Sequence, residues 1–174
     1  MATDADAEFS ALVRRQSRFV FRVVYAVLLN SYDAEDAVQE TFLKLYRNGG
    51  WQRAINERAF LARVAWRIAL DCKRRLSLSS RSPEPAGFGE PPSPNPDPEG
   101  VLASANQESV IHALIDSLAE DLRVPLVLST FEELNSREIA KIVGVPEGTV
   151  RTRLQRARQI LRQKLGSLRE TRYA

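Results

Sequence analysis

Ser136-Arg137-Glu138-Ile139-Ala140-Lys141-Ile142-Val143-Gly144-Val145-Pro146-Glu147-Gly148-Thr149-Val150-Arg151 is the stretch that decides the fold. Asn135 in front of it can cap a helix whose third residue, Glu138, reaches back to the cap, and Ile139, Ile142 and Val143 form the buried side of that helix. Gly144-Val145-Pro146 breaks the chain: Gly144 suits a left-handed turn, and Pro146 suits the first turn of a following helix over about 147–168. Small Ala140 lets the two helices cross closely, and Val150 packs back from the second. This is the anatomy of a helix-turn-helix.

At 3.6 residues per turn, the second helix turns Val150, Leu154, Ala157, Leu161 and Leu165 inward. Its opposite face carries Arg151, Thr152, Gln155, Arg156 and Gln159. Arg pairs bidentately with guanine and Gln with adenine in the major groove, while Arg153, Arg158, Arg162 and Lys164 are better placed for phosphates. A solvated basic helix end is the plainer reading of the same charges.

Outward from this motif the chain reads as helix throughout. Phe9, Leu12, Val13, Phe19, Val20, Val23, Val24, Val27 and Leu28 recur at three- and four-residue spacing, giving an apolar stripe on a helix over about 8–29. Asp33 is the expected N-cap of a second helix that stops near Asn48-Gly49-Gly50, with Glu35 and Asp36 against the positive end of its dipole. A third helix, about 57–76, puts Phe60, Leu61, Val64, Ala65, Ile68 and Cys72 on one side and Arg63, Trp66, Arg67, Leu70, Lys73 and Arg74 on the other. Beyond residue 106, Val110, Leu114, Ile115 and Leu118 mark one helix and 124–131 another. No segment alternates with period two, so the expected class is all-α. Residues 83–100 hold seven of the nine prolines and cannot propagate a helix or donate to a sheet ladder. The expected organisation is two small helical domains, 1–76 and 106–174, joined by an acidic linker over 77–105.

The chain of 174 residues has a net charge of +3, a total that hides alternation. Residues 1–82 carry +5, 83–100 carry −4, 101–149 carry −5 and 150–174 carry +7. Basic blocks separated by acidic ones point to different partners for different parts, a polyanion among them. One cysteine, Cys72, and one histidine, His112, exclude a disulfide framework or a Cys/His zinc site made by this chain alone, so no metal is expected. An acidic start without an apolar stretch, and no apolar run near the ~20 residues that span a bilayer, argue against secretion and membrane insertion and for the cytoplasm. No glycine-rich phosphate loop or nucleophile-base arrangement is present, so neither catalysis, a cofactor nor a small-molecule substrate is expected.

Glu138-Ile139-Ala140 followed by Gly148-Thr149-Val150-Arg151-Thr152-Arg153-Leu154-Gln155-Arg156-Ala157-Arg158 resembles region 4 of sigma-70-type initiation factors. Asp33-Ala34-Glu35-Asp36-Ala37-Val38-Gln39-Glu40-Thr41-Phe42-Leu43-Lys44-Leu45-Tyr46 is similar to region 2 of the small extracytoplasmic-function (ECF) sigma factors. The resemblance covers roughly 9–76 and 106–166, in the family's order. It implies a factor that binds core RNA polymerase, directs it to promoters through −35 and −10 elements and assists melting. Region 4 would place Arg151, Thr152, Gln155 and Arg156 in the −35 major groove, with Thr149, Arg153, Arg158 and Arg162 on phosphate. Glu35, Asp36, Gln39, Glu40, Leu43 and Tyr46 would dock on a coiled coil of the largest polymerase subunit; a helix cap plus solvated acids is the alternative.

Melted −10 DNA would meet Trp51, Arg63, Trp66, Arg67 and Arg74, where cations track a backbone and rings stack on bases. Trp66 could instead pack against the first helix, and Trp51 could merely anchor the loop 48–56, which corresponds to the family's base-capturing segment. The family usually reads Trp-Leu near the start of this helix and Asn further on. Here Phe60-Leu61 stands at the start and Arg67 replaces the Asn, so the −10 preference does not carry over. The resemblance also implies an anti-sigma factor as a partner, and a linker that either mimics nucleic acid in the polymerase channel or is a plain spacer. Only 166–174 follow the last helix, too little for a sensing domain. The rival reading is a helix-turn-helix repressor or activator acting without polymerase.

Overall fold

The computed structural model describes residues 4–80 and 107–173, and among them every regular element is helical. The helices are α1 (Asp4–Leu28), α2 (Ser31–Asn48), α3 (Glu57–Ser79), α4 (Gln107–Asp116), α5 (Glu120–Thr130), α6 (Ser136–Val143) and α7 (Glu147–Tyr173). A 3-10 turn, Trp51–Arg53, lies between α2 and α3. The expected linker falls mostly on residues 81–106, outside the described residues.

The stripe on α1 buries Leu12, Phe19, Val20, Val23, Val24 and Val27 against α2 and α3. Ala34 and Ala37 of α2 and Ala62, Ala65 and Ala69 of α3 are nearly or fully buried, and their small side chains let the three helices approach one another. Each large aliphatic side chain buried here contributes about 1.5–3 kcal/mol relative to exposure. Thr41 sits in this core with its hydroxyl donating to the Ala37 carbonyl at 2.7 Å, so its polar atom carries no desolvation penalty.

Four boundaries differ from the sequence reading. Asn30, not Asp33, caps α2: its extended backbone (φ −136°, ψ 126°) lets its side chain accept from the Asp33 N–H at 3.0 Å. Asp33 instead stands inside the first turn, where its charge still opposes the dipole. α3 runs on to Ser79. α5 begins at Glu120 and carries Pro125 inside it, and the carbonyl that loses its partner there belongs to exposed Asp121. α7 extends to Tyr173, and Leu165, expected inside, is 38% exposed where the helix outruns the core.

The apolar residues of both halves join one contiguous cluster, because α5 packs on α1 and α6 packs on α3. Arg123 of α5 is buried, and its guanidinium donates to the carbonyls of Ala26 (2.6 Å), Leu118 (2.5 Å) and Asp116 (3.2 Å). Burial depresses its pKa, countered by the charges of Glu120 and Asp116. Burial likewise pushes the Asp116 carboxyl up, although Tyr25 donates to it at 3.3 Å.

Candidate nucleic-acid and protein-docking surfaces

The motif over 136–151 folds as its residues dictate. Asn135 accepts from the Glu138 N–H at 3.0 Å, and Glu138 accepts from the Asn135 N–H at 2.9 Å, a complete capping box. Gly144 closes α6 in the left-handed region (φ 72°, ψ 32°), its N–H donating to the Ala140 carbonyl. Val150, Leu154 and Ala157 are buried on the inner side of α7. This packing holds the outer side rigidly toward solvent: Arg151, Thr152, Gln155 and Arg156 are all exposed, as are Arg158 and Arg162.

Together Arg151, Gln155, Arg158 and Arg162 line a cleft of about 420 Å³ whose other wall includes Ser136 at the start of α6. Guanidiniums converging on a helix N-terminus form a surface suited to phosphate. Two members of the expected set behave differently. Arg153 is half-buried and turned toward Asp121, 4.0 Å away, and Thr149 is half-buried. Glu147 holds Arg151 at 2.6 Å and lies 3.7 Å from Arg137.

On α3, Arg63, Arg67 and Arg74 are exposed, whereas Trp66 is half-buried against the core. Trp51 is also half-buried, its ring centroid 5.7 Å from that of Phe9. The fully exposed apolar side chain of the 48–56 loop is Ile55, which the sequence reading did not single out. Gly49 (φ 62°) and Gly50 (φ 86°) turn the chain into that loop.

The α2 set shares one surface. Glu35, Asp36, Gln39, Glu40, Leu43 and Tyr46 are all exposed, while Ala37, Thr41 and Leu45 face the core and Val38 is half-buried. Glu40 accepts from Arg75 of α3 at 2.8 Å. Tyr46 donates to Asp6 at 2.9 Å, and that bond raises the phenol's pKa. An acidic turn at the start of α1 thus lies beside this face.

Comparison with known proteins gives these surfaces a family. The model described as sigma-70 region 2 matches residues 12–78, and that described as sigma-70, region 4 matches residues 109–161. The chain is 33% identical over 175 aligned positions to the ECF RNA polymerase sigma-E factor of Haemophilus influenzae, covering 92% of this chain and 88% of that one. The chain belongs to the ECF family of sigma-70-type sigma factors. It is also 33% identical over 154 residues to the ECF RNA polymerase sigma factor SigE of Mycolicibacterium smegmatis, spanning 88% of its own length and 60% of that relative's. Its fold is similar to the sigma factor RpoE of Bartonella quintana, solved in complex with the anti-sigma factor NepR, at a TM-score of 0.64 and 18% identity, covering 91% of this chain and 97% of that one.

A region 2 match alongside region 4 favours the sigma-factor reading over the free-standing repressor. Among the described residues of this sigma factor, no helix is long and apolar enough to cross a membrane. Sequence reading passed over Arg22, Asn56, Arg58, Arg123 and Glu132. Their partners lie between 82 and 110 residues away for the contacts Asn56–Glu138, Arg123–Ala26 and Arg22–Glu132, so no local spacing signals them.

Proposed function

We propose that this sigma factor binds core RNA polymerase through α2, presents α3 and the 48–56 loop to the melted −10 strand, and reads the −35 duplex with α7. The observation that carries the reading is the exposed row Arg151, Thr152, Gln155 and Arg156 above buried Val150, Leu154 and Ala157, in one chain with a region 2 bundle. Rigid seating of a recognition helix is what base readout requires. Arg158 and Arg162 add phosphate contacts at the same cleft. Residues 1–76 and 106–174 act as the two DNA- and polymerase-facing domains, with 77–105 between them.

Polymerisation chemistry belongs to the polymerase in this scheme, and the protein works in the cytoplasm as an adaptor without cofactor or metal. An anti-sigma factor is its natural antagonist, a partner class supported by the likeness to a sigma factor solved with one. Run-off transcription from a random promoter library with purified core enzyme tests the proposal. Discrete start sites that require both core and this chain are the expected result, and absence of core-dependent initiation overturns it. Reversing the charge of Asp36 together with Gln39→Ala should weaken core binding in a titration; unchanged affinity removes the α2 assignment.

A further inference from the structure

The buried charges between the two halves have no part in the scheme above. Glu132 follows α5, its side chain is fully buried, and it accepts from Arg22 of α1 at 2.5 Å with Arg58 of α3 at 3.9 Å. Glu120, at the start of α5, takes the Lys73 ammonium of α3. Glu138 of α6 accepts from the Asn56 amide at 2.6 Å, immediately before α3 begins. Three carboxylates from one half therefore engage residues 56, 58 and 73 of the other. Those positions mark the two ends of α3, separated by about 22 Å along its axis.

α3 is also the helix whose exposed row of Arg63, Arg67, Lys73 and Arg74 suits a single-stranded backbone. Carboxylates spaced along such a helix satisfy its cations as phosphates would. The segment charges agree, since residues 101–149 carry −5 against +5 on residues 1–82. The contact is also built rather than incidental, because it seats Arg123 on the Ala26 carbonyl and closes Tyr25 on Asp116.

We infer that residues 120–138 form an internal occupant of the single-strand surface: Glu120, Glu132 and Glu138 hold α3 in the DNA-free chain, and melted DNA engages α3 only after displacing them. This rests on the reading of α3 as the −10 surface. Competition between an intramolecular acidic patch and a polyanion lowers the apparent affinity for DNA by the fraction of chain that is open. The two halves part as the strand binds, freeing α7 to reach duplex DNA elsewhere.

The test uses the full chain without polymerase and a fluorescent single-stranded oligonucleotide, with binding read by anisotropy and size by small-angle scattering. Glu120→Gln with Glu132→Gln should enlarge the radius of gyration and tighten binding by about tenfold. Glu120→Gln alone, at a partly exposed pair, should give about a twofold gain and guards against a folding defect in the double variant. An expanded double variant with unchanged affinity overturns the inference, as does a variant that neither expands nor binds better. Arg63→Ala with Arg67→Ala separates the two claims in holoenzyme. If that pair still impairs promoter opening while the Gln variants gain nothing, the occupant idea fails and the α3 reading stands; if promoter opening is unaffected, the α3 reading itself has failed.

Discussion

Glu147→Gln should lower stability and raise DNA affinity at the same time. In the structure Glu147 occupies the first residue of α7, with one carboxylate oxygen 2.6 Å from Arg151 and the other 3.7 Å from Arg137. Arg151 and Arg137 are 71% and 78% exposed, so each pair contributes only about 0.3–0.5 kcal/mol. A carboxylate in the first turn adds about 0.3–1 kcal/mol against the helix dipole. Loss of the charge therefore costs about 1–2 kcal/mol, a fall in melting temperature of roughly 2–8 °C for a chain of this size. Binding moves the other way. Arg151 and Arg137 no longer exchange a carboxylate for a phosphate, which releases about 0.5–1 kcal/mol, a two- to fivefold gain in affinity at low salt. Anisotropy titrations of holoenzyme on −35 duplex and on unrelated duplex, beside thermal melts, measure both quantities. If binding weakens along with stability, Glu147 orders Arg151 for its DNA contact and the competition argument is refuted.

Arg156→Ala should cost about 1–3 kcal/mol on a specific −35 duplex, whereas Arg162→Ala should weaken all duplexes alike; equal losses for both variants on both duplexes contradict the division of labour. Gly144→Ala should lose about 1–2 kcal/mol in urea denaturation from left-handed backbone strain alone, because a Cβ there meets no atom within 4 Å. Gly144→Asn should lose less. Glu57 has its pKa lowered chiefly by the hydrogen bond from Arg15, with burial opposing and Gln16 assisting. A depressed carboxylate stabilises the fold above the ordinary carboxylate range and stops doing so as pH falls through its folded value. The melting-temperature gap between wild type and Glu57→Gln should therefore be full at neutral pH and close in acid.

The helix-turn-helix was legible because its determinants are local: Asn135 and Glu138 sit three residues apart, and Gly144 stands where a left-handed residue is needed. The α1 stripe was legible for the same reason, since periodicity reports burial directly. The cap of α2 was not, because Asn30 and Asp33 both have capping side chains and only the backbone angles choose between them. Leu165 follows the inward period of α7 yet is exposed, since periodicity does not say where the neighbouring helices end. At the candidate surfaces the exposed arginines could be read from the sequence. The half-burial of Trp51 and Trp66 could not, because it depends on Phe9 and on packing between helices. Arg123 and Glu132 resemble solvated charges in sequence, and only distant partners make them part of the core.

The seat of Arg123 on the Ala26 carbonyl also sets a clock on synthesis. The two residues are 97 positions apart. At about 5–20 residues per second, the C-terminal end of α1 emerges roughly 5–20 s before the guanidinium that covers it. For that interval the nascent first bundle displays an uncapped carbonyl and the apolar flank that α5 later buries. Whatever binds the growing chain during those seconds meets a surface that the finished protein hides.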